Sequence, residues 1–526
     1  MSLNPEEALP LYGVGERRPP FATLDAVFRD AVETRPTRVM ARQTGQALRY
    51  GEAGRAVAAL ARRIAALAAP GEAVALLLPN GIAFYLGYLA ALRALTPPAL
   101  LNPLYPAPQL EPLLREVTPR VILCTAATRP LVEMLAARLG EPAILCLEEG
   151  ALTATALAAE PPAPWARRPV EQGDIAALML TGGTTGLPKA VEHSHGRLAA
   201  ALRRFEYNWP TRRDDEIWLP IAPFTHIYGF LQGVLAPLSA RAEIIIPERF
   251  KPEHIVELLA RHRVTVFGGG PPAIYAGVLA AANLPGADLS ALRVCPAGGA
   301  PMPVDLLERW RATTGLDIHE GYGMTEMAPI SGITALSGVR PGSVGRALPG
   351  NEIRIVDVET GRRVLPAGAR GEVCIRGPHL MAGYRNRPDE TAEVLRDGFL
   401  HTGDVGHLDE EGFLFITDRK KDVVLVKGFN VYPREVEEVL YTHPGIAAAG
   451  VVGVPDARSG GERVIAYVVA RPGVELSEAA LAGFVGERLV GYKCPGEFRI
   501  VEALPMTGVQ KLDRKALRHL ACDSAA

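Results

Sequence analysis

A glycine- and threonine-rich segment at residues 181–189 carries the strongest chemical signal in the sequence. It reads Thr-Gly-Gly-Thr-Thr-Gly-Leu-Pro-Lys and follows an apolar run typical of a buried strand. Glycine backbones can turn their N–H groups towards an anion, and hydroxyl and ammonium groups add further donors. We therefore predict a phosphate-binding loop, with a plain glycine turn as the alternative. Its candidate residues are Thr181, Gly182, Gly183, Thr184, Thr185, Gly186 and Lys189.

The loop differs from the GxxxxGK[ST] pattern of nucleoside triphosphatases, because Pro188 precedes the lysine and Ala190 follows it. A second segment, residues 320–326, reads Glu-Gly-Tyr-Gly-Met-Thr-Glu. A tyrosine between glycines can present its ring to a purine, and Thr325 can donate to a phosphate. Glu326 supplies a carboxylate oxygen of the kind that Mg²⁺ prefers. A surface turn is the alternative interpretation.

Three further polar groups lie towards the C-terminus. Asp404 ends the sequence His-Thr-Gly-Asp and can accept hydrogen bonds from ribose hydroxyls, although an ordinary turn aspartate is the alternative. Arg419 belongs to a charged cluster at 418–422, which also fits a solvated hinge. Lys511 closes the segment Pro-Met-Thr-Gly-Val-Gln-Lys at 505–511, where a surface charge is the alternative.

The composition is that of a globular enzyme. The chain has 526 residues, of which 48% are hydrophobic and 22% charged, with a formal net charge of -2. This balance gives no sign of a nucleic-acid partner, and the length predicts two or more domains. The six cysteines show no zinc-like spacing, which favours free thiols. No signal peptide or apolar run long enough for a membrane span is visible, so we expect a cytoplasmic protein.

Strand-length apolar runs alternate with helical patterns through the first four hundred residues. This alternation predicts an α/β fold with a largely parallel sheet, in which ligands bind beyond the carboxyl ends of the strands. We expect the glycine turns at Thr181, Gly268, Gly298 and Gly321 to follow strands. The predicted strands are 73–78, 121–124, 176–180, 243–246, 264–267, 292–295 and 316–319.

Short strands with turn signals between them predict a β-rich subdomain at about 344–418. A helix at 433–441, strands at 448–452 and 464–469, a helix at 477–489 and a strand at 498–501 predict a small α+β domain. We place the domain boundary at Lys421, which gives a large N-terminal domain of residues 1–420 and a small C-terminal domain of residues 421–526.

Taken together, the five ordered motifs resemble the adenylate-forming superfamily of acyl-CoA synthetases, peptide-synthetase adenylation domains and beetle luciferases. The resemblance covers roughly residues 48–517. Residues 371–377, Gly-Glu-Val-Cys-Ile-Arg-Gly, and 426–430, Val-Lys-Gly-Phe-Asn, are similar to signatures of the fatty-acyl and 4-coumarate CoA ligase branch. The resemblance implies an AMP-binding N-terminal domain and a mobile C-terminal domain.

The resemblance also implies roles for individual residues. It makes 181–189 the loop that holds the ATP phosphates, Glu326 the Mg²⁺ ligand, Asp404 and Arg419 the ribose ligands, and Lys511 the catalytic lysine. It makes Lys421 the hinge residue and places the coenzyme A tunnel near Lys427, Gly428 and Asn430. The implied adenine- and phosphate-binding residues are Gly299, Ala300, Pro301, Glu320, Gly321, Tyr322, Gly323, Met324 and Thr325.

The implied reaction has two steps. A carboxylate attacks the α-phosphate of ATP and expels pyrophosphate, and a thiol then attacks the acyl-adenylate and releases AMP. The family usually has serine at the position of Gly182 and glycine at that of Ala190. Neither departure removes a charge, so we expect activity.

The segment Phe-Thr-His-Ile-Tyr-Gly-Phe at 224–230 resembles the family motif that borders the acyl pocket. Its candidate lining is apolar or small, which favours a hydrophobic acid, either fatty or aromatic. For His226, a packed core histidine is the alternative to a ring that swings when substrate binds. The candidate pocket residues are His226, Tyr228, Gly229, Phe230, Gly298 and Met327.

Two other functions remain open from the sequence. The thiol acceptor could be the phosphopantetheine of a carrier protein, although no fused carrier domain follows Leu517. A non-catalytic nucleotide-binding relative is disfavoured, because the charged candidates Lys189, Glu326, Asp404, Arg419 and Lys511 are all present. A homodimer is compatible with the sequence.

Overall fold

A computed structural model describes residues 21–161, 167–181, 188–209, 211–300, 302–333, 337–426, 429–456, 461–507 and 512–523. The chain forms two compact units. The N-terminal unit comprises residues 1–352 and 376–396, and the C-terminal unit comprises residues 353–375 and 397–526.

The strands in chain order are β1 (Val39–Gln43), β2 (Gln46–Arg49), β3 (Val74–Leu77), β4 (Pro98–Leu100), β5 (Val121–Cys124), β6 (Ala143–Cys146), β7 (Ile175–Thr181), β8 (Lys189–Ser194), β9 (Ile217–Pro220), β10 (Glu243–Ile245), β11 (Val266–Gly268), β12 (Cys295–Gly298), β13 (Ile318–Met324), β14 (Met327–Gly332), β15 (Arg346–Ala347), β16 (Glu352–Val356), β17 (Gly371–Arg376), β18 (Leu395–Arg396), β19 (Phe399–Leu408), β20 (Leu414–Arg419), β21 (Val424–Val426), β22 (Phe429–Val431), β23 (Ile446–Asp456), β24 (Gly461–Ala470) and β25 (Glu497–Ile500).

The α-helices are α1 (Leu24–Thr34), α2 (Tyr50–Leu67), α3 (Ile82–Arg93), α4 (Ala107–Val117), α5 (Arg129–Ala136), α6 (Ala154–Ala159), α7 (His195–Asn208), α8 (Ile227–Phe230), α9 (Ala236–Ser239), α10 (Pro252–Arg261), α11 (Pro272–Leu279), α12 (Val304–Thr314), α13 (Pro388–Val394), α14 (Pro433–Tyr441), α15 (Glu478–Gly486) and α16 (Arg514–Asp523).

Three sheets build the N-terminal unit. One has the order β6-β5-β3-β4-β7-β8 and is parallel except for β8, and a second has the order β11-β9-β10-β1-β2 and is parallel except for β2. A third, β12-β13-β14-β15, begins with a parallel pair and continues antiparallel. These sheets, alternating with helices in the chain, confirm the predicted α/β fold.

Burial explains why the parallel strands form. Every residue of β3 and β5 is buried, and such continuous apolar runs are expected where helices cover both faces of a parallel sheet. Helix α2 buries one stripe that includes Tyr50, Val57 and Ile64.

The C-terminal unit contains two larger antiparallel or mixed sheets. Strands β17, β19 and β20 pair antiparallel, and β16 lies beside β17. Strands β23, β24 and β25 form a three-stranded sheet, against which α14 and α16 pack. The core beneath α14 includes Val436, Leu440 and Val451.

Two predicted elements agree with the structure residue for residue, the strand at 121–124 and the helix at 433–441. The strand predicted at 292–295 is displaced, because β12 runs from Cys295 to Gly298. The turn predicted at Gly321 is wrong. Gly321 lies inside β13 opposite Gly332, and a Cβ there would come within 3.0 Å of the Trp209 ring. Close packing, not a turn, therefore requires glycine at this position.

The C-terminal unit begins earlier in the chain than the domain boundary that we predict at Lys421. The predicted β-rich subdomain at 344–418 accordingly contributes to both units. The boundary at Lys421 stays a prediction. Among the described residues, no helix has both the length and the apolarity needed to cross a membrane.

Candidate nucleotide and acyl site

The phosphate-loop candidate is closed at its base by two paired strands. Thr181 ends β7 and Lys189 begins β8, and the two residues are antiparallel partners. The Thr181 hydroxyl donates to the Lys189 carbonyl oxygen at 3.3 Å. Gly182, Gly183, Thr184, Thr185 and Gly186 lie outside the described residues. Strand β8, which Lys189 begins, is an edge strand of the six-stranded sheet.

The Lys189 ammonium contacts two side chains that the sequence motifs did not identify. Its Nζ lies 2.6 Å from Oε2 of Glu390 and 4.8 Å from the centre of the Tyr384 ring. Arg387 donates to Glu390 at 2.6 Å and to both oxygens of Glu116 at 2.9 and 2.8 Å. The ammonium of Lys189, followed by the Arg387 guanidinium, lowers the pKa of the Glu390 carboxyl. Glu390 is thus ionised and held in place.

The second motif forms a hairpin instead of a surface turn. Strands β13 and β14 pair antiparallel, with Met324 opposite Met327, so Thr325 and Glu326 form the connection. His193 of β8 donates from Nε2 to the Thr325 carbonyl oxygen at 2.8 Å. Burial lowers the pKa of His193 to about 4, so its ring is neutral near pH 7. The hairpin tip therefore lies beside the strand that carries Lys189.

Tyr384 joins the two motifs. Its hydroxyl donates to Oε1 of the buried Glu326 at 2.8 Å, while its ring faces the Lys189 ammonium. The backbone of Glu326 is held as well, because Met381 donates to its carbonyl oxygen at 2.8 Å. The structure thus brings together the lysine and the carboxylate that the sequence places in separate motifs.

Glu326 fits one kind of magnesium site. The described residues contain no group of three or more histidine, cysteine or acidic side chains that could hold a metal. Mg²⁺ is commonly bound by one or two carboxylates together with substrate phosphates and water. A single carboxylate beside the Lys189 ammonium, which is the predicted phosphate ligand, fits that requirement, and Glu326 would be the metal ligand.

The adenine-side candidates follow β12. Gly298 ends this strand opposite Gly321, and Gly299 has φ of 85°, a conformation that favours glycine. Glu320 is buried and accepts a hydrogen bond from the Met302 N–H at 3.0 Å. Ala300 and Tyr322 are partly exposed, and Gly323 is exposed. Pro301 lies outside the described residues.

The acyl-pocket candidates cluster around α8. His226 precedes this helix, and its Nδ1 accepts a hydrogen bond from the Tyr228 N–H at 3.3 Å. The Tyr228 hydroxyl donates to the Pro296 carbonyl oxygen at 2.9 Å, and its ring packs against Gly298. At Gly229, a Cβ would collide with the Pro223 carbonyl oxygen.

Two other pocket candidates have no exposed surface. Phe230 packs edge-on against Tyr88, with ring centres 5.0 Å apart, and Met327 is completely buried beside Gly377. Neither side chain faces an open cavity in this structure, and their assignment to the acyl pocket stays a prediction.

In the C-terminal unit, Asp404 and Arg419 are cross-strand partners in β19 and β20. The Arg419 Nε lies 3.2 Å from Oδ1 of Asp404, which is buried, whereas the arginine side chain is 53% exposed. Asp404 is not the ordinary turn aspartate that the sequence leaves as the alternative. The residue lies inside β19, and only Gly403 before it has a positive φ, of 70°. The pair presents a carboxylate and a guanidinium side by side.

The charged cluster at 418–422 is less solvated than a simple hinge would be. Asp418 and Asp422 are buried, and they accept hydrogen bonds from the Arg434 N–H at 2.9 Å and from Arg518 at 2.7 Å. Lys421 between them is exposed. A change of backbone dihedral angles at Lys421 would therefore take place between two aspartates that hydrogen bonds hold in position.

Lys511, Lys427, Gly428 and the side chain of Asn430 lie outside the described residues. The residues that flank Lys511 are nevertheless well held. Met506 and Leu512 form an antiparallel bridge, and Asp513 donates from its N–H to the Pro505 carbonyl oxygen at 2.9 Å.

Sequence reasoning missed His193, Tyr384 and Glu390. Tyr384 stands in the run Gly-Tyr-Arg-Asn-Arg, which has no spacing that indicates a binding site. Its role becomes visible only because residues 382–385 pair with β8.

Comparisons with known proteins extend over most of the chain. The family model described as AMP-binding enzyme matches residues 28–385, and the model described as AMP-binding enzyme C-terminal domain matches residues 435–511. A long-chain-fatty-acid–CoA ligase from Bacillus subtilis (strain 168) is 39% identical over 65% of this chain. The match spans 61% of that ligase, less than two thirds of its length.

Other relatives are covered almost completely. A feruloyl-CoA synthase from Amycolatopsis sp is 35% identical over 92% of this chain and 96% of that protein. The crystal structure of ATP-bound MatB from Rhodopseudomonas palustris matches with a TM-score of 0.89 and 30% identity, over 96% of this chain and all of that one.

Proposed function

Because this chain belongs to the AMP-binding enzyme family, we propose that it is an ATP-dependent acyl-CoA synthetase, an AMP-forming acid–thiol ligase. Family membership confirms the resemblance to adenylate-forming enzymes. The observation that carries the proposal is the position of Tyr384, which contacts both Lys189 and Glu326. A cation that can bind phosphate and a carboxylate that can bind Mg²⁺ are thereby held around one point.

In the first step, an acid carboxylate attacks the α-phosphate of ATP and pyrophosphate leaves. Two anions must approach each other, so groups that neutralise charge contribute most where charge accumulates in the transition state. Lys189 and the loop N–H groups would hold the phosphates, and Lys511 would stabilise the developing charge. Magnesium, when bound with the nucleotide at Glu326, would neutralise phosphate charge. Asp404 and Arg419 are assigned to the ribose.

In the second step, the coenzyme A thiol attacks the acyl carbonyl and AMP leaves. We assign the tunnel for the thiol to residues near Lys427, Gly428 and Asn430, and the hinge to Lys421. The ATP-bound structure of MatB supports ATP as the nucleotide, and the CoA ligases among the relatives support coenzyme A as the thiol. The proposal places the enzyme in the cytoplasm.

We assign a hydrophobic acid, fatty or aromatic, as the substrate. The ring of Tyr228 packs on Gly298, and that of Trp209 packs on Gly321 of the neighbouring strand. These contacts make the surroundings of both glycines apolar, as the predicted lining for a hydrophobic acid requires. The relatives named as long-chain-fatty-acid, feruloyl and 4-coumarate ligases support the same range.

Pyrophosphate release, measured with acetate, fatty acids of graded length, benzoates and cinnamates, tests the first step. We expect release with one apolar class and little with acetate. Thioester formation, measured with free coenzyme A and with a carrier protein, then identifies the acceptor. Absence of ATP binding, or release without any dependence on a carboxylic acid, would refute the proposed activity.

Lys511→Ala separates the two steps. We expect adenylate formation to be nearly lost, because the charge that Lys511 supplies acts in the transition state of that step. Thioester formation from supplied acyl-adenylate should be retained. Lys515→Ala, at an exposed position of α16, is the matched control for loss of one positive charge. Equal loss of both steps in Lys511→Ala would contradict the assignment.

A further inference from the structure

Tyr384 is fixed to the strand that carries Lys189. Ala382 donates from its N–H to the Glu192 carbonyl oxygen at 3.2 Å, and Arg385 donates to the Ala190 carbonyl oxygen at 2.8 Å. Tyr384 and Val191 form an antiparallel bridge between them. Residues 382–385 therefore extend the sheet beside β8, and this pairing fixes the Tyr384 backbone relative to Lys189.

Both the hydroxyl and the ring of Tyr384 make contacts that hold the side chain in place. Its hydroxyl donates to Oε1 of Glu326 at 2.8 Å, and its ring centre lies 4.8 Å from the Lys189 ammonium. A cation over an aromatic face is attracted by the negative potential of the ring.

Tyr384 is a neutral residue in contact with two groups of opposite charge, Lys189 and Glu326. A lysine and a glutamate that share one small site can pair directly, and the charge of each is then partly cancelled. Tyr384 binds both partners without carrying a charge itself. The Lys189 ammonium is paired with Glu390, which Arg387 also holds. Tyr384 can thus position Glu326 for a metal, and Lys189 can exchange the partly exposed Glu390 for a phosphate.

We propose that Tyr384 is a positioning residue that couples the metal carboxylate Glu326 to the phosphate-binding Lys189 in this chain. This inference rests on the proposed function, because it assumes that ATP and Mg²⁺ bind here. The hydroxyl acts on the carboxylate and the ring acts on the ammonium, so the two contributions can be separated by substitution.

Tyr384→Phe removes the hydroxyl and keeps the ring. A hydrogen bond to a charged group contributes about 1.5–3 kcal/mol, so we expect the Mg²⁺ concentration for half-maximal ATP binding to rise about tenfold or more. ATP binding in EDTA should change by less than about threefold, because the ring that contacts the Lys189 ammonium remains. Isothermal titration with ATP at graded MgCl₂ and in EDTA measures both quantities.

Tyr384→Leu removes both contributions, so ATP binding should weaken with and without Mg²⁺. Tyr105→Phe, at a partly buried tyrosine of the same unit, is the control for loss of a phenol hydroxyl. Thermal unfolding of each variant identifies a merely structural effect. Such an effect in Tyr384→Phe would lower the unfolding temperature and weaken ATP binding in EDTA as much as ATP binding in MgCl₂.

Combination with Glu326→Gln tests the path through the carboxylate. In that background, Tyr384→Phe should cause no further change in the Mg²⁺ requirement. An additive effect there, or an unchanged Mg²⁺ requirement in Tyr384→Phe alone, overturns the inference. If the wild-type protein binds no ATP under any condition, the proposed function fails instead, so the two failures are distinguishable.

Discussion

Two ion pairs, one in each unit, differ in their surroundings and in the direction of their carboxyl pKa shifts. Arg514 and Glu437 form two hydrogen bonds of 2.7 and 2.9 Å, with side chains only 17% and 10% exposed. Lys189 and Glu390 are 29% and 31% exposed. Burial raises the pKa of the Glu437 carboxyl, whereas the neighbouring cations lower that of Glu390.

The difference indicates what each pair does. Glu437 and Arg514 are both largely buried, where removing a carboxylate from water is costly, and their ion pair links α14 to α16. For Glu390, water remains close and the attraction dominates. Lys189 can therefore exchange Glu390 for a phosphate without leaving a charge buried and unpaired. Exposure distinguishes a binding pair from a structural one.

Arg514→Met tests the structural pair and should have the largest effect. Removing one partner of a buried ion pair costs about 3–5 kcal/mol, because the remaining charge is uncompensated. We expect the free energy of unfolding, measured by urea denaturation, to fall by that amount. The double variant Arg514→Met/Glu437→Gln should recover part of the loss. A decrease below about 1 kcal/mol in the single variant would show that the Glu437 carboxylate reaches water once Arg514 is replaced, and would contradict the structural role of the pair.

Lys189→Ala tests the binding pair. We expect adenylate formation to slow by about 10²–10³-fold, the range found when one donor to a developing charge is removed. The free energy of unfolding should change by less than about 1 kcal/mol, because the pair is partly exposed. Lys189→Arg should retain part of the activity, and Lys251→Ala, at an exposed position of the same unit, is the control. A stability loss as large as that of Arg514→Met would invalidate the contrast.

Arg419→Gln should have the smallest effect. Arg419 is half-exposed and pairs with Asp404, so its contribution to stability is about 0–1 kcal/mol. If it binds ribose, the KM for ATP should rise about 3–10-fold, equivalent to about 0.7–1.4 kcal/mol. The unfolding temperature should not change. An unaltered KM together with a lower unfolding temperature would make Arg419 a structural residue.

Local sequence patterns predicted much of the fold because the elements are strongly patterned. The four residues of β5 are all buried, and the apolar spacing of α14 places Val436 and Leu440 on one face. Such periodicities depend on the backbone geometry of strands and helices, which any short segment contains. Asp404 and Arg419 also become neighbours through a single antiparallel pair of strands.

Other features depend on contacts between distant segments. Gly321 resembles a turn residue in sequence, but the Trp209 ring and the Gly332 strand determine its position inside a sheet. Tyr384 has no motif at all, and its contacts with Lys189 and Glu326 arise because residues 382–385 extend the sheet beside β8.

The sequence by itself determined the α/β class, the family and the residue types of a phosphate site, because these depend on periodicity and on ordered short motifs. The tertiary structure alone decided which charges meet. It placed Glu390 against Lys189 and Tyr384 between Lys189 and Glu326. Pairing between distant segments is set by packing of whole elements, and no local pattern of residues encodes it.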